Sequence, residues 1–462
     1  MRALHCTTLL TAASSCFRLP NNAAITMSAA DAGIRFDQLV EQGRAKDAIA
    51  LLRDESSASA VTLSKERTAK LIDAACAAAS SPLAPSTDTI ATGGDPREAM
   101  AAFEQQQIDQ QNDLLACYEV LTERGALRGF GSVVGALPAL PRALSPDDQL
   151  RLTGMPTTAF APPRNNGNGA LFAGALAAAA LLQFSDTLGA DFRVVGGIGA
   201  AALAADRVAL RGALWESAAR AIRPKYRQTV VEHEGGHFLC AYLMGMPLQA
   251  CLLDAWAAVR DGRFAGAAGT VFFDPVLGEG MRSGTISRGS LDRYSVVVLG
   301  GVAAEAMRNG KAEGGQADEQ ALIRLLSSLD GGRSWDLPKI MNQARWGASQ
   351  ALLLLREHAA AHESLCEALG EGKSMGEAIV AIETALDEAF GRNGELPSET
   401  RRRKLRQEEL KAEEEQRARE ARQAAVAAAP TASRDELEAE RAEVAAKLAQ
   451  VREKLNALDD GA

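Results

Sequence analysis

The chain has no Cys-x-x-Cys pair among its seven scattered cysteines. That argues against a thiolate zinc site and a disulfide scaffold, and it suits a reducing compartment. Nor is there a basic excess: a net charge of −9 at pH 7 disfavours nonspecific nucleic-acid binding. No Gly-x-x-x-x-Gly-Lys-Ser/Thr loop occurs. Gly372-Lys373-Ser374 comes nearest, but Glu367 stands where the first glycine is needed, so no phosphate cradle can be assigned. Long hydrophobic runs are missing too. Residues 169–184 are uncharged and rich in alanine, and a second apolar run spans 194–205. Neither reaches the roughly 18–20 strongly apolar residues of a spanning helix. A short membrane hairpin and buried glycine-rich packing helices are the two readings left open. The first thirty residues lack Asp and Glu but hold Arg2 and Arg18 among Ala, Ser, Thr and Leu. This is the composition of a plastid or mitochondrial transit peptide, with an ordinary tail before Met27 as the alternative.

Histidine is scarce, with five in 462 residues, and two of the five fall in His233-Glu234-Gly235-Gly236-His237. Nothing from Arg227 to Leu243 breaks a helix, and Gly245-Met246-Pro247 ends it. Imidazoles four residues apart stand one above the other on a helix, so both reach one metal ion, with Glu234 beside it as a candidate general base. This is the arrangement of zinc peptidases, and it makes Zn2+ the expected cofactor. Each helical glycine costs about 1 kcal/mol relative to alanine, which implies a close approach to the helix at Gly235 and Gly236. Cys240, one turn on, is expected in the core. Acids able to supply a third ligand include Asp254, Asp261, Asp274, Asp292, Glu305 and Asp318, and spacing does not choose among them. A second pair, His358 and His362, is expected on an exposed helix face.

The expected fold class is mainly α. It comprises a helical N-terminal region (31–126), a Gly/Pro/Ala-rich region (127–225), a helical zinc-peptidase domain with a short β element (226–392), and a charged helix and coiled coil (397–462). Amphipathic runs begin at Phe36, at Leu63 and at Pro96, the last continuing to Glu123. Gly269-Thr270-Val271-Phe272-Phe273 reads as a strand ended at Pro275. Further helices are expected over 294–307, from Asp318 to Leu329, over 338–369 and over 375–390. Leu437, Val444, Val451 and Leu458 recur every seven residues, with Leu448 and Leu455 on the alternate seam, giving about three heptads that Arg441 weakens.

Residues from about Tyr226 to Phe390 resemble the peptidase domain of FtsH-type zinc proteases through an ordered set of motifs. Val231-Glu-His-Glu-Gly-Gly-His-Phe-Leu-Cys-Ala-Tyr resembles the family's metal helix, although Gly235 stands where the family usually has alanine. Gly266 to Pro275 occupies the place of its short strand. Leu299-Gly-Gly-Val-Ala-Ala-Glu305 is similar to its glycine-rich helix, and Met375 to Glu383 has a counterpart near the domain's end. Gly314-Gly-Gln-Ala-Asp318 looks like the turn that delivers the third ligand. The resemblance therefore implies metal ligands His233, His237 and Asp318, a catalytic Glu234, and a substrate-binding strand at Gly269, Thr270, Val271, Phe272 and Phe273. An N-cap is the other role open to Asp318. The family's ATPase module is absent, as in the shortened FtsH relatives of plastids. What this implies is a metalloendopeptidase of a chloroplast, associated with thylakoid or envelope, or else of a mitochondrion. Protein or peptide substrates would be its partners, together with a further copy or an FtsH-type protein held through the coil. The alternative is a zinc-binding scaffold that assists complex assembly or a partner protease.

Overall fold

The computed structural model describes residues 29–54, 61–80, 96–162, 225–261, 263–264, 269–329, 335–428 and 434–459. The expected transit peptide up to residue 28 and the apolar runs at 169–184 and 194–205 lie outside the described residues. Sixteen α-helices make up 74% of what is described, with a single two-stranded sheet, so the protein is mainly α. Among the described residues no helix is long and apolar enough to cross a membrane.

Four helices lead: α1 (Ala29–Glu41), α2 (Ala45–Arg53), α3 (Lys65–Ala78) and α4 (Pro96–Glu123). The start of α3 is fixed by Ser64, whose hydroxyl accepts the Arg67 N–H and so satisfies an orphan donor of the first turn. The short α5 (Pro146–Thr153) begins in the same way, with Ser145 as cap and proline at its first position.

The helix α6 (Tyr226–Leu243) follows, ending where Gly245 takes a left-handed turn at φ +69°. Strand β1 (Leu248–Leu252), the short helix α7 (Ala255–Arg260) and strand β2 (Gly269–Phe272) come next. The strands pair antiparallel, with Leu248 opposite Phe272 and Leu252 opposite Gly269. Seven helices follow in the first unit: α8 (Pro275–Ser283), α9 (Arg288–Val298), α10 (Gly300–Asn309), α11 (Gln316–Ser328), α12 (Leu337–Glu357), α13 (Ala359–Gly370) and α14 (Met375–Phe390), the last behind a Ser374/Glu377 capping box. Strand β1 is not among the elements expected from sequence. The helices expected over 294–307 and 338–369 are each broken in the structure: at Leu299, between α9 and α10, and at His358, whose backbone leaves the helix at φ −115° and ψ 36°.

The axis of this unit is α6, which packs on α9, α10, α12, α13 and both strands. Phe238, Leu239, Tyr242 and Leu243 are all fully buried, each such side chain adding roughly 1.5–3 kcal/mol of hydrophobic stabilisation. The Tyr242 hydroxyl has a partner in the core: it donates to Glu383 of α14 at 2.5 Å. Glu383 also accepts the N–H groups of Arg128 and Gly129 at 2.8 and 2.7 Å, so this carboxylate clamps the segment after α4 to α6 and α14. The N-terminal helices share the same core, and Gly376 at the start of α14 donates to Asp73 of α3 at 2.8 Å. Residues up to Glu399 thus form one compact unit.

The second unit begins at Thr400. It holds most of helix α15 (Pro397–Ala428) and all of α16 (Arg434–Asp459). The seam residues Leu437, Val444 and Leu448 are exposed along α16. Pairs such as Glu443 with Lys447 lie on the surface and contribute only tenths of a kcal/mol, roughly.

Candidate metal centre

The two motif histidines occupy successive turns of α6, their Nε2 atoms 3.1 Å apart. Asp318 Oδ2 stands 3.1 Å from His233 Nε2 and 3.4 Å from His237 Nε2. A tetrahedral zinc with bonds of about 2.0–2.1 Å has ligand-to-ligand edges of about 3.3–3.4 Å. Two of the three separations fall slightly short of that value and the third matches it. Among the described residues this is the one group of three such side chains with donor atoms close enough to share an ion.

Asp318 reaches the cluster because of how α11 begins. Gly315, at φ +90°, takes the N-cap place without a side-chain bond, which leaves Asp318 in the first turn. The capping role open to it in the sequence is therefore not the one it plays. An added side chain at Gly315 would collide with Val302.

Each imidazole is also held from behind. With protons on Nδ1, His233 donates to Glu305 Oε1 at 2.7 Å and His237 donates to the Val297 carbonyl at 2.8 Å. Both Nε2 lone pairs then point at a common centre, as when a metal-binding histidine gives its other ring N–H to a carboxylate or a backbone carbonyl. Glu305 is 2% exposed, and its other oxygen accepts the N–H groups of Glu313 and Gly314 at 2.5 and 2.9 Å. One carboxylate thereby ties the first histidine to the turn that brings in Asp318.

In the metal-free protein, burial works against a charge on His233, but the bonds to Asp318 and Glu305 outweigh it and raise its pKa to about 10. The same contest raises His237, with Asp318 the main opposing charge. Burial likewise opposes the Asp318 carboxylate, yet the two imidazoles hold it far below the usual carboxylate range. A cation entering the cluster would displace the proton held there.

The glycines of α6 and α10 make the geometry possible. Gly236 faces the backbone of Gly300, and a Cβ on Gly300 would stand 2.6 Å from the Gly236 carbonyl oxygen. A Cβ on Gly301 would come within 2.5 Å of His233 Nε2 and 2.6 Å of His237 Nε2. The close approach inferred from the motif's glycines is thus an inter-helix contact at Gly236.

The other acids that spacing left open all have different work. Asp254 caps α7, accepting the Ala257 N–H at 2.9 Å. Asp261 pairs with Arg263 at 2.6 Å, and Asp274 caps α8 while pairing with Arg293 at 2.8 Å. Asp292 is held by Arg142 at 2.6 Å and by Gln343 at 3.1 Å. Glu305 orients His233 and does not join the cluster, a role that residue spacing cannot signal.

Glu234 is buried beside β2, where the Thr270 hydroxyl donates to its Oε2 at 2.8 Å. Its charge reaches both imidazoles. Gly269, Thr270, Val271 and Phe272 form β2, and Phe273 follows it, donating its N–H to Pro247 at 3.3 Å. Cys240 is fully buried, as expected. The second histidine pair departs from expectation. His358 and His362 are 1% and 6% exposed rather than on a solvated face: His358, at the α12–α13 junction, has its ring against Phe390 of α14, and His362 lies on α13, which packs on α6 and α14. No protein-family profile, curated protein or solved structure matches this chain.

Proposed function

We propose that the chain is a zinc-dependent metalloendopeptidase acting on protein or peptide substrates, FtsH-like in its peptidase motifs and without an ATPase module of its own. The observation that carries this reading is the convergence of His233 Nε2, His237 Nε2 and Asp318 Oδ2 at tetrahedral-edge distances on the helix that also bears Glu234. The donor set, two neutral imidazoles and one carboxylate, suits zinc with a fourth position open. Zinc bound there supplies Lewis-acid polarisation of a scissile carbonyl and makes a water more acidic.

The remaining steps belong to the protein's side chains. Glu234 takes a proton from the attacking water and returns it to the leaving nitrogen, a transfer worth about 10²–10⁴-fold in rate. The Thr270 hydroxyl fixes the carboxylate's orientation through Oε2. Among the described residues β2 has one strand neighbour, β1. The edge of β2 away from β1 is suited to pairing with an extended peptide, a mode of binding tolerant of sequence. Replacing Phe272 by proline would weaken peptide cleavage if that edge is used.

The test begins with zinc content by elemental analysis of wild type, His237→Ala and Asp318→Ala. About one zinc per chain, lost in both variants, is expected. No zinc in folded, reconstituted wild type would sink the reading. Glu234→Gln should then keep its zinc and lose peptide cleavage. A zinc-loaded wild type that cleaves no peptide would favour the scaffold alternative.

A further inference from the structure

Two positions along α6 from His233, the helix has turned by about 200°, so Gly235 faces away from the candidate centre. There α13 presents His362 and Cys366, one turn apart and mostly buried. Cys366 Sγ lies 3.6 Å from His362 Nε2, and the ring is also hydrogen-bonded to the main chain of Glu232. A tetrahedral cation bound by one thiolate at about 2.3 Å and one imidazole at about 2.0–2.1 Å separates S and N by about 3.6 Å. A cavity of about 560 Å³ opens beside the pair, lined also by Glu232, Glu363, Glu367 and Arg308. It leaves room for further ligands from solution; Arg308 pairs with Glu232 at 3.3 Å and opposes a cation, while Glu363 and Glu367 also face Cys366 and favour one.

Position 235 adds a second observation. A Cβ there would stand 2.8 Å from Cys366 Sγ and 3.5 Å from His362 Nε2. Glycine at this place is what gives the thiol and the imidazole their space.

We propose that His362 and Cys366 form a second binding site for a zinc-class divalent cation, open to this cavity and completed there by water or a small anionic ligand. Binding forms an S–metal bond, breaks the S–H bond and releases that proton to solvent, while His362 Nε2 gives its lone pair. No electron is transferred. Burial keeps the pair neutral when no metal is present, pushing the Cys366 thiol up to about 12 and His362 down to about 4. With only two protein ligands the site fills after the candidate centre. It stands whether or not the chain cleaves peptides.

The test is a cobalt(II) titration of the full-length, metal-free protein, read in the near ultraviolet. A thiolate-to-cobalt charge-transfer band requires a cysteine ligand, and the cluster of His233, His237 and Asp318 contains none. The expected result is a band that grows after the first equivalent of cobalt and persists in Asp318→Ala. It is lost in Cys366→Ser and in His362→Gln. Gly235→Ala, which keeps both ligands but crowds them, should also lose it. A wild type without a thiolate band, or a band that survives in folded Cys366→Ser or His362→Gln protein, would overturn the proposal.

Discussion

Glu305→Gln isolates the carboxylate that stands between His233 and the Asp318 turn. The side chain keeps its length, so the change is one of hydrogen-bond chemistry. Glu305 accepts three N–H groups: His233 Nδ1 at 2.7 Å on one oxygen, and Glu313 and Gly314 at 2.5 and 2.9 Å on the other. A glutamine has one acceptor and one donor end. If its oxygen stays with the turn, its NH₂ confronts His233 Nδ1 and drives the proton to Nε2, removing the lone pair that would bind metal. If its oxygen turns to His233, the NH₂ confronts two buried N–H groups. Losing the partner that orients a metal-binding histidine weakens metal binding by about 10–100-fold, which is about 1.4–2.7 kcal/mol. Zinc affinity should be measured by competition against a chromogenic chelator, with thermal melting of the metal-free protein to show that the variant is folded. Wild-type zinc affinity in folded Glu305→Gln protein would refute the assignment of Glu305 as the group that orients His233.

Three further outcomes are expected. Gly301→Ala places a methyl 2.5–2.6 Å from both Nε2 atoms, so zinc per chain should fall well below that of wild type at an overpacking cost of about 1–3 kcal/mol; full zinc loading would contradict it. Burial lowers the pKa of His362 from 6.5 to about 4, so its contribution to stability is complete above pH 6.5 and declines as the pH falls towards 4. In urea unfolding of the metal-free protein, His362→Gln should flatten that acid slope, and an unchanged slope would remove His362 as its source. The exposed seam of α16 needs a partner helix: full-length protein should self-associate in sedimentation, and Val444→Glu should weaken the association, whereas a monomeric wild type at high concentration would exclude a homomeric coil.

The parts of this architecture that could be read from sequence are those written in local chemistry. Helix α6 ends where Gly245 and Pro247 said it would, α4 runs from Pro96 to Glu123, and β2 stops before Pro275. The strand β1 was not legible because Leu248–Leu252 is a short apolar stretch without alternation, indistinguishable from a helix tail. The break at His358 has no proline or glycine beside it to announce a helix end, whereas the one at Leu299 stands directly before Gly300-Gly301, a pair that marks a possible break without showing that the chain turns there so that Gly300 can lie against α6. Burial of His358 and His362 is likewise a property of the helices that cover them. Of the candidate site, the histidine pair was visible as a periodicity. Asp318 was singled out only through resemblance, since no local rule separates it from five other acids. The orienting role of Glu305 depends on a fold that brings positions 233, 305 and 313 together, and no window of sequence contains it.

The crossing of α6 and α10 at Gly236 and Gly300 sets the distance between the motif helix and the helix bearing Glu305 by main chain meeting main chain. Elsewhere in a core, a larger residue on one side can be offset by a smaller one on the other. Here no such trade exists, because the obstacle at each position is a carbonyl group that every amino acid carries. The separation on which the imidazole cluster depends is therefore indifferent to repacking of the surrounding apolar side chains, yet brittle at two positions sixty-four residues apart. An engineer could rebuild the apolar surroundings of α6 freely and keep the site, but could not compensate a side chain at Gly236 by any choice at residue 300.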